Sequence, residues 1–242
     1  MRAEIGRALG ATLVVAGIAA ALPASSAPLV FFGEDLAGGS LPAPNSLAAQ
    51  TSFLSNLVGV RVEDFEAIAV GTQFDFNVSF GGDVATLSGT NTVGNTGIND
   101  GPIAGRFATS GARYLNVGTS DAASFTLTFS APQAAFGFFG TDIGDFTGQL
   151  AISLDGGAPI AVNHTLNAPD GNALFWGIID ADNPFTTVQF RNVGGAALDD
   201  AFGFDDFTIG RREQVVLVPT PGTLALLGLG LAGLGALRRY RG

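Results

Sequence analysis

Carboxylates are the side chains through which this chain could do chemistry. Two groups stand out by spacing: Asp205 with Asp206, inside Gly203-Phe-Asp-Asp-Phe-Thr-Ile-Gly210, and Asp142 with Asp145, inside Thr141-Asp-Ile-Gly-Asp-Phe146. Phe202 and Phe204 share one parity of an extended strand, and Phe207 and Ile209 share the other. The apolar face therefore changes sides across the acid pair, which one extra residue in the strand, a β-bulge, would explain. A bulge that turns a carboxylate inward has to give it a partner, because a bare buried charge costs several kcal/mol. Calcium is one such partner, since it takes carboxylate and carbonyl oxygens at flexible geometry; Glu66, near the end of the first strand, becomes its co-ligand if the first and last strands pair. An arginine such as Arg61 is the other. In the second group Gly144 lets the loop bend so that Asp142 and Asp145 meet one cation. For both groups the plainer expectation is solvated acids at a turn or strand end, and the sequence favours it.

Other chemistries are closed off by composition. A serine-hydrolase triad needs a histidine base, and the single histidine, His164, falls in phase with the apolar side of a strand, where a packed or surface side chain, not a base, is the expected role. The chain contains no cysteine and no lysine, which removes thiol catalysis, thiolate metal sites and serine–lysine pairs. Zinc centres built on several histidines are excluded as well. Glycoside hydrolysis by two acids about 5–10 Å apart survives as a reaction type. Trp176 and Tyr114 are the candidates for stacking on sugar rings, but Leu174-Phe-Trp-Gly-Ile-Ile179 is apolar on both parities, so Trp176 reads as core.

The elements that must position these residues are short strands. Phe74, Phe76, Val78 and Phe80 alternate with polar residues, as do Phe125, Leu127 and Phe129, and Leu150, Ile152 and Leu154. Further strands are expected over 60–65, 84–88, 113–117, 134–139, 160–166, 173–179, 186–192 and 202–209, separated by turn signals such as Gly81-Gly82, Asn99-Asp-Gly101, Asp155-Gly-Gly157 and Asp170-Gly171. Strands with one polar face predict an all-β fold, an antiparallel two-layer sandwich of jelly-roll type, with a core drawn from the 20 phenylalanines. One short helix is expected over 46–58, capped by Asn45 or Ser46, and the Gly/Pro-rich stretch 28–45 reads as an irregular arm.

Both ends read as targeting segments. Arg2 and Arg7, the apolar run from Ala8 to Leu22 and the small residues before Ala27 make a secretory signal over residues 1–26, cut by signal peptidase at Ser26–Ala27. Residues 27–58 form the arm and helix, 59–212 the sandwich domain, and 213–242 a linker and tail. In the tail Pro219-Thr220-Pro221-Gly222 breaks the chain ahead of a charge-free apolar run, and Arg238, Arg239 and Arg241 close it. Residues 221–237 read as a membrane span whose arginines stay in the cytoplasm. Between the ends, 20 of the 21 acids face six of the 11 arginines, a net charge near −14. Such a surface repels a phosphate backbone, so no nucleic acid is expected as a partner; it attracts divalent cations.

The order Pro-x-Pro, Gly/Leu helix and arginine end resembles the PEP-CTERM sorting signal, with Thr220 standing where that family has glutamate. The body segments Phe31-Phe-Gly-Glu-Asp35, Asp64-Phe-Glu66 and Gly203-Phe-Asp-Asp-Phe207 are similar to segments of exported β-sandwich proteins bearing that signal, and, more loosely, to carbohydrate-binding jelly rolls. The resemblance implies processing by an exosortase-type membrane protease, a transient stay in the inner membrane, and release to the cell surface or exterior. The expected role is a non-enzymatic matrix, biofilm or envelope component. Two alternatives stand beside it: a lectin-like module for extracellular polysaccharide, and a secreted carbohydrate-active enzyme.

Overall fold

The computed structural model of the protein describes residues 27–36, 43–89, 96–119, 125–144, 148–193, 200–216 and 230. The expected signal segment, Asp145 and, apart from Gly230, the sorting signal lie outside the described residues. Among the described residues no helix is long and apolar enough to cross a membrane.

In chain order the elements are β1 (Leu29–Asp35), α1 (Pro44–Leu54), β2 (Arg61–Glu63), β3 (Phe76–Phe80), β4 (Asp83–Gly89), β5 (Gly97–Asp100) and β6 (Arg113–Thr119). They continue with β7 (Phe125–Gln133), β8 (Ala135–Thr141), β9 (Gln149–Leu154), β10 (Ile160–Ala161), β11 (Ala173–Ile179), β12 (Phe185–Val193) and β13 (Asp200–Gly210). One sheet has the order β1-β11-β8-β13-β6-β5, with β2 also paired to β13; the other has the order β10-β9-β12-β7-β4-β3. Every strand pairing is antiparallel. From β6 onward the chain alternates between the sheets, with β9 and β10 counting as one hairpin. This is a β-sandwich with one helix.

Its core is built from the alternating residues of both sheets. Phe125 and Phe190 from one sheet stack at 4.2 Å between ring centroids, and Phe204 and Phe138 from the other meet Phe190 edge-on at 5.0 Å. Such edge contacts suit the ring quadrupole and add to the area that each ring buries. Trp176 and Tyr114 are both fully buried, so neither forms a sugar-stacking platform.

The segment read as an irregular arm is a strand along residues 29–35, paired over its whole length with β11. The helix begins and ends earlier than the expected 46–58. Its first amides are capped from outside: the Asp35 carboxylate, at the end of β1, accepts from the N–H of Asn45 at 3.1 Å and of Ser46 at 2.9 Å. This placement suits the positive end of a helix. Residues 57 and 58 leave the helix to bond with the 3₁₀ turn and the residue that follow β13, through a bridge of Leu57 to Val215 and Val58 N–H to the Gln214 carbonyl at 2.8 Å. Phe53 docks α1 on the outer face of the first sheet. It fits there because β8 and β11 carry Gly137 and Gly177 beneath it, where an added Cβ would stand within 3.0 and 2.8 Å of the ring. The strand expected over 160–166 is only the two residues of β10, and β5 falls where a turn was expected.

Candidate functional site

The bulge expected at the acid pair is present in β13. Its register against β8 shifts between Asp205 and Thr208, and Asp206 takes a left-handed backbone, φ 52°. The shift lets Phe204 and Phe207 both enter the core. Asp205, by contrast, shares the outer side of the sheet with Gly203, beneath a covering segment, 101–112. The acids are buried, not the solvated strand-end groups that the sequence favours: Asp205 is 1% exposed and Asp206 8%.

Main chain answers Asp205, and hydroxyl groups answer Asp206. Asp205 Oδ2 accepts from the N–H of Thr109 at 2.7 Å and of Ser110 at 3.1 Å, and Oδ1 accepts from the N–H of Asp206 at 2.8 Å. Asp206 Oδ1 accepts from the Ser110 hydroxyl at 2.6 Å. The Thr109 hydroxyl lies between the two acids, 3.2 Å from Asp205 Oδ2 and 2.9 Å from Asp206 Oδ2. A hydroxyl has one proton to donate. It can therefore satisfy one acid, and it can accept a proton from the other. Burial, with the neighbouring charge of Asp206 next, pushes Asp205 up to about 8. Burial also raises Asp206, and the charge of Asp64 adds to this. A proton held by Asp205, beside an Asp206 that keeps the Thr109 and Ser110 hydroxyls as donors, relieves the repulsion between the two acids.

Glu66 takes the other end of the same loop. The strand expected to come first, now β2, does pair with the last, β13, but Oε1 of Glu66 accepts from the N–H groups of Ala112 and Arg113, each at 2.6 Å. Arg113 returns the contact: its guanidinium donates to the carbonyls of Glu66 at 2.7 Å and Ile68 at 2.6 Å. The two backbone amides hold the Glu66 carboxyl below its usual range. Gly111, between the two clamps, has φ +57° and meets the Glu66 carboxylate where a Cβ would be. Only glycine adopts that conformation at low cost.

These contacts test the calcium expectation on this structure's own atoms. The Asp205 carboxylate and Oε1 of Glu66 accept five amide protons between them, so a cation bound there would compete with the loop's own hydrogen bonds. Among the described residues no group of three or more His, Cys, Asp or Glu is placed to hold a metal ion. Arg61, the alternative partner, sits elsewhere, against Gly81.

Asp142 is also buried, against the expectation of an exposed turn acid, and takes φ 62°. Its Oδ1 accepts from the Gly171 N–H at 3.1 Å and packs on Gly105. Asp145 lies outside the described residues. His164 is buried as well; the Leu150 N–H donates to Nε2 at 3.1 Å, which fixes a neutral ring with its proton on Nδ1, facing the Thr165 carbonyl. Burial lowers its pKa accordingly.

Some residues of this framework carry no sequence signal. Glu63, 8% exposed, accepts from Phe65 N–H at 2.9 Å and Ser79 N–H at 3.2 Å, and burial raises its pKa. Asn172 bridges the Ile143 N–H at 2.8 Å and the Glu34 carboxylate at 3.0 Å. Thr109 and Ser110 read only as turn residues. A separate surface cleft of about 410 Å³ is lined by Arg61, Phe80, Asp83, Arg211, Glu213 and Gln214, with Arg211 in a two-point ion pair to Asp83.

No protein-family model matches the chain, and no curated protein matches it. Among solved structures the chain is similar to the K2 cleaved adhesin domain of Lys-gingipain, at 13% identity and a TM-score of 0.37, over 62% of this chain and 97% of that one.

Proposed function

We propose that this is an exported, non-enzymatic β-sandwich of jelly-roll type that serves as an extracellular matrix, biofilm or envelope component. The alternation of strands between the sheets from β6 to β13 supports the jelly-roll reading. One observation carries the structural role: among the described residues, most of the side chains able to do chemistry are engaged by main-chain donors. Asp205, Glu66, Asp142, Glu63 and His164 each accept from at least one backbone N–H. A general acid or a nucleophile needs its reactive atom turned toward substrate; here those atoms pin loops to the sheets.

The route rests on the sequence. A secretory signal over 1–26 starts export, the apolar run pauses the chain in the inner membrane, and an exosortase-type protease acts at Pro219-Thr-Pro221. The test is intact-mass analysis of the extracellular protein. A chain that ends near Thr220 is expected, and one that ends at Gly242 overturns the processing step.

The cleft beside Arg61 favours a second reading, a lectin-like module. Its guanidinium, carboxylate and amide groups suit sugar hydroxyls. Binding of extracellular polysaccharide that is lost in Arg61→Ala would support that module; binding that survives the change would place any sugar site elsewhere.

A further inference from the structure

The four sheet edges are not alike. Strand β5 is already bonded on its free side, since Gly71 N–H donates to the Ile98 carbonyl at 2.7 Å and Ile98 N–H to the Thr72 carbonyl at 2.9 Å. Strand β3 is guarded by an acid, with Ser79 N–H donating to Glu63 at 3.2 Å. Strand β10 is two residues long. Strand β1 is seven residues long, and among the described residues no main chain bonds to it on the side away from β11. Near its end the Asn45 amide caps the Glu34 carbonyl at 3.1 Å. The open row therefore runs from Leu29 to Gly33.

That row is apolar and poorly covered. Phe31 packs on Phe53 of α1, at 5.6 Å between ring centroids. Val30 and Phe32 lie opposite Ile178 and Trp176 of β11 and so continue the face that forms the core. They remain 50% and 36% exposed, because the facing sheet ends in the short β10. Leu29 is 52% exposed, and Leu166, next to the Thr165 that binds Glu34, is 53% exposed. An edge of this kind is a template for another strand.

We propose that β1 pairs with β1 of a second copy of this chain, antiparallel and with the two-fold axis at Phe31. Three arguments select this occupant. In the exported chain proposed above, on which this first argument rests, cleavage at Ser26–Ala27 leaves only Ala27 and Pro28 ahead of β1, too short to fold back over it. The charges of β1 are confined to one end, at Glu34 and Asp35, and both carboxylates already turn inward, to Thr165 and Asn172 and to Asn45 and Ser46. Antiparallel pairing sets these acids at opposite ends of the joint, beyond the second copy's Leu29, whereas parallel pairing stacks acid on acid. With the axis at Phe31, Val30 of each copy faces Phe32 of the other on one side of the joined sheet, and the two half-exposed patches cover one another. The contact uses the same edge on both copies, so it closes at a dimer and does not propagate into a fibre.

The absence of cysteine makes the register directly testable. Chains carrying Val30→Cys and chains carrying Phe32→Cys, purified from the producing cells, are oxidised separately and as a mixture. A disulfide-linked dimer that forms in the mixture far faster than in either chain alone is the expected result; equal rates in all three overturn the register. Sedimentation of the unmodified chain should give a dimer, and Phe32→Lys a monomer with unchanged near-ultraviolet circular dichroism. A monomeric unmodified chain overturns the proposal. So does a dimer that persists in both Phe32→Lys and Val30→Lys, the second change being at a half-exposed position that the fold tolerates.

Discussion

Asp205 and Glu66 perform the same task on the same loop under opposite conditions. Each accepts two amide protons from the stretch 109–113, at comparable distances. Yet Glu66 is held below its usual pKa by those amides, while Asp205 rises to about 8. The difference lies in solvent and neighbours. Glu66 stays partly exposed to water, so its amides add to a hydration that is largely kept. Asp205 has lost its water and has a second carboxylate beside it, and its amides do not make up the loss. Counting hydrogen bonds does not tell whether a carboxylate is comfortable. Its burial and its neighbours do.

Removing the buried clamp breaks this comparison most severely. Asp205→Ala leaves the N–H groups of Thr109, Ser110 and Asp206 without acceptors in a dry site. At about 1–3 kcal/mol for each unsatisfied group, the loss should reach roughly 3 kcal/mol or more, read from urea unfolding. An effect below about 1 kcal/mol would mean that the loop does not depend on this acid.

Titration sharpens the comparison. The raised pKa of Asp205 means that between its unfolded value of 3.8 and about 8 the folded chain holds a proton that the unfolded chain has released. Its contribution is therefore complete at low pH and is lost as the pH rises through that window. Asp206 and Glu63, both raised, act in the same sense. His164, lowered by burial, acts in the opposite sense, but only as the pH falls below its unfolded value of 6.5. Between pH 6.5 and 8, stability should accordingly fall by about 2 kcal/mol, at ~1.4 kcal/mol per unit, seen as a lower melting temperature. Asp206→Asn removes the repelling charge but not the burial that is the larger cause of the shift, and an amide accepts a left-handed backbone readily, so its melting temperature should fall less across the same range. Parallel curves for the two proteins would show that the charge of Asp206 does not help to hold the proton on Asp205.

The smallest effect belongs to Glu66→Gln. The amide oxygen still accepts from Ala112 and Arg113, so only the advantage of the charge is lost. Because the pKa of Glu66 is lowered from 4.5, that advantage is present above this value and disappears as the pH falls through the folded pKa. Melting curves of the two proteins should differ slightly at neutral pH and converge in acid. A gap that widens in acid would show that Glu66 behaves like Asp205.

Much of this framework is local and could be read before any contact was known. Period-two alternation identifies β3, β7, β9 and β13 because the core-facing side of each carries the larger apolar residues and side chains alternate by necessity. The parity change between Phe204 and Phe207 announces the bulge for the same reason. Composition alone removes thiol, lysine and multi-histidine chemistry. Strand β1 escapes notice because Leu29, Val30, Phe31 and Phe32 are apolar on both parities and lie among glycines and prolines. Nothing local tells a strand from a loop there, and it is β11, more than 140 residues later, that makes it a strand. The destiny of the acids was equally out of reach. A lone Asp-Asp shows that something must answer its charge, but Thr109 and Ser110 lie 96 and 95 residues away for Asp205, and a turn of Thr, Ser and Gly has no sequence mark that assigns it to any carboxylate. Alternation, composition and the need for a partner are properties of the chain itself. Which partner arrives, and whether water comes with it, is decided only when the sheets stack, because burial depends on neighbours that the chain brings from afar.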